Sequence, residues 1–273
     1  MRIHATIVLY HNIPELVQKA IESFLNTTLD VKLYLIDNSK TDALKVLVNG
    51  NDKIEYIFNG KNIGFGTAHN IALRRSLQDG VDYHLVLNPD VYFEAGVLEE
   101  LLAYMEQNRD VANVMPNVYY PDGKLQYLCK MLPTPVELIV RRFLTSDKII
   151  QKINAKFELH SMGYDKEVNI PFLSGCFMFL RVDALRDVGL FDEKIFLYME
   201  DLDLNRRLYE KYKTMFYPHV SVVHVHAQES HKRKKELFLH IYSTIRYFNK
   251  WGWFIDKKRR KINKELLERI KKL

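Results

Sequence analysis

Three carboxylates fall within four positions in the stretch YMEDLDLNRR, where Glu200, Asp201 and Asp203 are followed at once by Arg206 and Arg207. Acids in a first helical turn satisfy free N–H groups and the positive end of the dipole. Asp203 stands three and four residues before the arginines, the spacing of helical ion pairs. The same acids could instead take a proton from a hydroxyl. LVLNPDV ends an apolar run on Asn88, Pro89 and Asp90. That is ordinary turn chemistry, and it is also an oxygen set for Mg²⁺ or Mn²⁺, which keep waters and share ligand phosphates. His224 and His226 alternate in SVVHVHA, so both leave one side of a strand, as a ligand with a support or as buried imidazoles. NGKNIGFGTAHN gathers Gly60, Gly64 and Gly66 around Asn62. Glycine there permits positive φ and close approach to a phosphate or base, and Asn70 in the following helix could point into the cleft. The spacing matches neither a P-loop nor a dinucleotide fingerprint, so kinase and dehydrogenase readings find no support.

The elements that must position these residues alternate. IHATIVLY, VKLYLIDNS, KIEYIFNG and YHLVLNPDV are short apolar, β-branched runs suited to buried parallel strands. IPELVQKAIESFLNT, AHNIALRRSLQDG and GVLEELLAYMEQN are helices between them, the first with Pro14 in its first turn and the second closed by Gly80. VANVMPNVYY is a further strand, and TMFYPHVSVVHVHA a late one. This order predicts an α/β fold with an open, mainly parallel sheet. Ligands bind beyond the carboxyl ends of such strands. Asp37, the Asn62–Gly66 turn and Asp90 follow the second, third and fourth strands and converge on one rim. Residues 121–170, with Pro121, Pro133 and Pro135, are expected to form an insertion or flap.

With 273 residues, 47% of them hydrophobic, the chain can bury a full core. No run approaches the roughly 18 apolar residues of a spanning helix, and no charged segment followed by an apolar one marks a signal peptide. Cys129 and Cys176 have neither zinc nor disulfide spacing. A reduced, cytoplasmic protein is expected. Residues 231–273 hold fifteen Lys and Arg against four acids, a charge of about +11, which leaves about −5 on residues 1–230. The tail should therefore meet an anionic partner. Its apolar residues recur at Leu237, Ile241, Ile245 and Phe248, and again at Ile262, Leu266, Ile270 and Leu273. The first stripe is expected to pack on the core. The second fits an anionic membrane surface, a homodimer contact or a solvated face. Nucleic acid is not the expected partner, because the body lacks interleaved basic and aromatic residues.

Taken in order, IVLYHN, IDNSKTD, NIGFGTAHN, LNPDV, LSGCFMFLRVDAL and VGLFDEKIFLYMEDLDLNRR, with His224 on a late strand, resemble the motifs of family-2 glycosyltransferases with the GT-A fold. LNPD and FDEKIFLYMEDLDL look most like the bacterial rhamnosyltransferase branch. The resemblance implies a catalytic domain over 1–230, with a nucleotide-sugar half at 1–118 and an acceptor half at 119–230, and a basic helical extension at 231–273. It implies that Leu9, Tyr10 and Asp37 hold the base and ribose and that Asn62, Gly64 and Phe65 line the same pocket. Asp90 and His224 would hold a divalent cation, Mg²⁺ or Mn²⁺, with Asn88 in the place of the first acid of the usual DxD motif and His226 as the rival of His224. Asp201 matches the general base and Glu200 its assistant. The donor would be a nucleoside-diphosphate sugar, leaning to dTDP-L-rhamnose, and transfer would invert the anomeric centre. The acceptor would be a glycan or lipid-linked saccharide in cell-surface polysaccharide synthesis, at the inner face of the membrane. The alternative is a nucleotide- or glycan-binding module on the same fold without catalysis.

Overall fold

The computed structural model describes residues 1–138, 147–225 and 234–273. The first half runs β1 (Arg2–Leu9), α1 (Pro14–Leu25), β2 (Asp30–Asp37), β3 (Ile54–Phe58), α2 (Phe65–Asp79) and β4 (Tyr83–Leu87). It continues through β5 (Val91–Tyr92), α3 (Val97–Gln107) and β6 (Val111–Tyr119). The second half holds β7 (Cys129–Lys130), α4 (Asp147–Phe157), β8 (Val168–Asn169), β9 (Phe172–Leu173), β10 (Phe177–Arg181) and α5 (Val182–Val188). After these come α6 (Glu200–Tyr209), β11 (Lys213–His224), α7 (Lys234–Trp251) and α8 (Lys257–Ile270).

The main sheet has the order β3-β2-β1-β4-β10-β6-β11-β5, with β8 also paired to β11. Strands β1 to β4 are mutually parallel, and β6 is parallel to β11. Strand β10 runs against both β4 and β6. The reversal matters for the site. It brings the turn before β10 to the same rim as the ends of β1 to β4, with Phe177 opposite Leu87. The end of β11 reaches that rim too, and His224 pairs with Val91 of β5.

Alternation along β2 explains the layers. Leu33 and Leu35 share a core with Val17, Ala20, Ile21 and Phe24 of α1, whereas Tyr34 and Ile36 pack with Ala68 and Ala72 of α2. The two helices thus cover opposite faces, as a parallel sheet requires. Helix α2 ends on Gly80 at φ 61, whose N–H reaches Ser76.

Two expectations need correction. The stretch expected to be an insertion or flap is, over its described residues, part of the body: Cys129, Met131, Phe157, Leu159, Met162 and Tyr164 belong to the main core. The tail stripes are also reversed. In α8, Ile262, Leu266 and Ile270 are buried, the last two in the main core, whereas in α7 Ile241 and Ile245 are exposed. Helix α7 turns Ser243, Tyr247 and Phe248 inward instead. The reason is shape and hydrogen bonding: Tyr247 and Phe248 fill a pocket with Met199, Leu202 and Ile262, and Ser243 Oγ donates to the Leu197 carbonyl at 2.7 Å. The boundary expected at 230 falls outside the described residues.

Candidate active site

The rim is built around a two-residue segment, Gly175–Cys176, which enters β10. The Gly175 N–H donates to Asp201 Oδ2 at 2.9 Å, and the Cys176 carbonyl accepts from the Asn88 N–H at 2.9 Å. One peptide segment therefore joins the acid of α6 to the Asn88–Asp90 turn. A Cβ on Gly175 would lie 2.9 Å from Asp201 Cβ, so the approach needs glycine.

Asp201 opens α6 with its other oxygen, Oδ1, accepting from the Leu202 N–H at 2.8 Å. This is partly the capping role that its position predicts. Burial raises its pKa above the ordinary aspartate value, against the pull of the Gly175 N–H and the Lys130 charge. Glu200 is buried, and its Oε2 has no hydrogen-bond partner among the described residues. Burial, and then the charge of Asp201, push its carboxyl well above the usual range. The pair follows a strained corner, for Tyr198 and Met199 have φ of 68° and 69° without being glycine. Such a conformation costs roughly 1–2 kcal/mol per residue. Three bonds over-determine the corner: the Phe196, Leu197 and Met199 carbonyls accept from Phe65 N, Ser243 Oγ and Asp203 N. The acids are held in place by a backbone that would not choose that shape alone.

Asp203, two residues on, is buried and fully engaged. It accepts from Arg207 Nε at 2.9 Å, Lys250 Nζ at 2.8 Å and Trp251 Nε1 at 2.7 Å. Arg206 does not join it, but pairs with Asp256 at 2.7 Å, both buried.

Across the rim, His224 Nε2 stands 3.4 Å from Asp90 Oδ1. Gln126 grips the other side of the histidine. Its Nε2 donates to the His224 carbonyl at 2.8 Å and its Oε1 meets His224 Nδ1 at 3.0 Å, which puts the proton on Nδ1 and turns Nε2 to Asp90. Burial works against the imidazolium, but the Cys176 sulfur and Asp90 outweigh it and push the pKa up to about 10. No group of three or more His, Cys, Asp or Glu side chains suited to a metal occurs among the described residues. Without a cation the raised pKa keeps a proton on Nε2 as well; one carboxylate and one oriented imidazole fit a cation that displaces that proton and takes its remaining ligands from diphosphate oxygens and water. Asn88 is half-buried on the same turn. His226 lies outside the described residues.

The nucleotide side of the rim is mixed. Leu9 is buried, and its carbonyl accepts from Asn38 N at 2.8 Å, while Tyr10 is 45% exposed. Asp37 is buried. Its Oδ2 accepts from the Tyr56 hydroxyl at 2.5 Å and its Oδ1 from Ser39 N at 2.7 Å. The exposed Asn62 accepts from the Gly64 N–H at 2.9 Å and from Asn38 Nδ2 at 3.4 Å. Gly64, at φ 91, is needed for protein packing: a Cβ there would fall 2.6 Å from the Phe196 carbonyl oxygen. Phe65 packs on His69, with ring centroids 4.3 Å apart, and on Phe191. Asn70 does not point into the cleft. Its Nδ2 donates to the Phe191 carbonyl at 2.9 Å and to Glu193, and its Oδ1 accepts from Phe191 N, so it braces the loop ahead of α6. Sequence reasoning missed Gln126, Cys176 and Asn38. The last two lie inside motifs that drew attention for their neighbours, and nothing in KLQYLCK marks Gln126.

A family model, "Glycosyl transferase family 2", matches residues 6–189. The chain belongs to that family. Among characterised relatives, the rhamnosyltransferase WbbL of Escherichia coli K12 is 27% identical over 251 residues, covering 88% of this chain and 90% of that protein. The N-acetylglucosaminyl-diphospho-decaprenol L-rhamnosyltransferase of Mycobacterium tuberculosis is 27% identical over 210 residues, 73% of this chain and 68% of its own. These relatives set the glycosyltransferase in the rhamnosyltransferase-like branch. Among solved structures, GalNAc-T7 with UDP, GalNAc and Mn²⁺ superposes with a TM-score of 0.60 at 15% identity, over 83% of this chain but 43% of that one. The mannosyltransferase PcManGT of Pyrobaculum calidifontis, with GDP-Man and Mn²⁺, gives 0.57 at 12% identity, over 89% and 64%. These likenesses are of fold, the GT-A fold expected from the motif order.

Proposed function

We propose that this glycosyltransferase moves L-rhamnose from dTDP-rhamnose, with inversion, onto a hydroxyl of a lipid-linked saccharide in cell-surface polysaccharide synthesis, as a peripheral protein at a membrane surface. The names and coverage of the two rhamnosyltransferase relatives support the sugar and the acceptor class. The observation that carries the mechanism is the Gly175–Cys176 segment, which sets the Asp201 carboxylate beside the turn bearing Asn88 and Asp90.

Asp201 takes the acceptor proton while the acceptor oxygen bonds to the anomeric carbon. The bond from that carbon to the diphosphate breaks on the opposite side, and its electrons pass to the leaving oxygen, so one displacement inverts the centre. A raised pKa makes Asp201 a stronger base than an exposed aspartate. Glu200, neutral, adds no second negative charge beside it. Asp90 and His224, with Asn88 directly or through water, would hold a Mg²⁺ or Mn²⁺ that neutralises charge on the leaving diphosphate. Tyr10, exposed at the end of β1, offers its ring to the base.

A panel of nucleoside-diphosphate sugars, each with and without Mn²⁺ or Mg²⁺, tests the reading by thermal stabilisation and by transfer to a polyprenyl-diphosphate N-acetylglucosamine. dTDP-rhamnose should stabilise the protein most, and more so with cation. Asp90→Ala should weaken the cation-dependent part at least about tenfold. Equal stabilisation with and without cation in both proteins would remove the cation from the mechanism.

A further inference from the structure

Six of the fifteen large apolar side chains that are exposed among the described residues fall between 238 and 255: Phe238, Ile241, Tyr242, Ile245, Phe254 and Ile255. The first four are spaced as one stripe along α7. Phe238 is 67% exposed, Phe254 68% and Ile255 80%. The Trp253 indole N–H donates at 2.8 Å to Asn249, the next position along that stripe, so the turn bearing Phe254 and Ile255 folds back to the stripe's end. Scattered exposed apolar residues need no explanation, but a contiguous stripe does.

Charge identifies what covers it. Directly after the turn come Lys257, Lys258, Arg259, Arg260 and Lys261, all exposed except Arg259. Residues 231–273 together carry about +11. A second copy seated on this face would bring two such segments together against their repulsion. A nucleic acid would answer the charge and leave the aliphatic stripe in water. An anionic bilayer answers both, with apolar side chains at the acyl boundary and basic ones among the head groups. No helix among the described residues is long and apolar enough to cross a membrane, so the contact is peripheral.

We propose that the outer face of α7 and the turn into α8 form the surface on which this protein rests on an anionic bilayer. The inner face of the same helix braces the catalytic corner, through Ser243 to the Leu197 carbonyl and through Lys250 and Trp251 to Asp203. The helix that meets lipid is thus also the one that holds α6, and docking fixes how Asp201 faces the membrane. This inference deepens the proposed reading but rests on the surface alone.

Co-sedimentation of the full chain with vesicles tests it, using phosphatidylcholine alone and phosphatidylcholine mixed with phosphatidylglycerol, at low and high salt. No donor or acceptor is present, so failure of the sugar assignment would leave this result untouched. The protein should pellet with the anionic vesicles only, and less at high salt. Ile241→Asp with Ile245→Asp should reduce binding at least about tenfold, and Phe254→Ser with Ile255→Ser should do so independently, since all four side chains are exposed and the fold should survive. Lys257→Gln and Lys261→Gln should each weaken binding about fivefold. Sedimentation velocity is run alongside. Wild-type protein left in the supernatant, variants that bind as wild type, or a dimer that the isoleucine variant dissociates would each overturn the proposal.

Discussion

The first two residues of α6 and the charged residues behind them are in opposite states. At the rear, Asp203, Arg206 and Arg207 are buried or nearly so, and their charges are answered by Lys250, Trp251, Asp256 and one another. At the front, one carboxyl group lacks a partner for Oε2 and burial favours its protonated form, its neighbour is held by two backbone N–H groups, and the entering backbone is strained. Buried polar groups are normally satisfied; at the rear Arg206 Nε and Asp256 Oδ2 also lack hydrogen bonds, but ion pairing answers their charges. A row of acids that composition would call one cluster is thus split, with Asp203 holding the fold and Glu200 and Asp201 left for the chemistry we propose.

Replacing the front acid should have the largest effect. Asp201→Asn should lower transfer by about 10²–10⁴-fold while leaving donor binding and melting temperature close to wild type. Wild-type turnover in that variant would mean the base lies elsewhere. The rear should answer in stability instead. Arg206→Ala strands a buried Asp256 and should cost about 3–5 kcal/mol in denaturant unfolding, whereas Arg206→Met with Asp256→Leu should recover most of the loss. A single-variant cost below about 1 kcal/mol, the range of an exposed pair, would show that the rear network is not closed.

The smallest effect should come from Glu200→Gln, because the amide resembles the protonated form that burial favours. Unfolding should change by no more than about 0.5 kcal/mol. The pH profile sharpens the point. A base must be ionised to act, so activity is present above the raised pKa of Asp201 and lost as pH falls through it, at a pH above the ordinary aspartate value of about 3.9. Glu200→Gln should leave that acid limb where it is. A limb that moves would show that Glu200 carries charge in the working enzyme.

The strands up to β6, the helices between them and the common rim were legible because parallel strands buried on both faces leave continuous apolar runs. The rim position of Asp90 was legible because a polar residue that ends such a run must face that rim, whereas Asp201 and His224 were singled out by the family resemblance. Asn70 was misread because an amide in a glycine-rich helix start looks the same whether it binds a ligand or a distant loop. Its partners, Phe191 and Glu193, are more than 120 positions away. Gln126 escaped for the same reason, since its meaning comes from His224, 98 residues on. The tail was misread because periodicity finds a stripe without saying what it meets. Both tail helices have one, and only packing shows that α8 spends its stripe on the core while α7 leaves its own outside.

The Arg206–Asp256 pair has a consequence for biosynthesis. The residues proposed for donor and acceptor chemistry have all been synthesised once His224 is made, yet α6 still carries a guanidinium whose partner lies 50 positions along the chain. Until residue 256 is made, buried Arg206 lacks the carboxylate that answers its charge, so a chain cut short between the two should lose stability at α6.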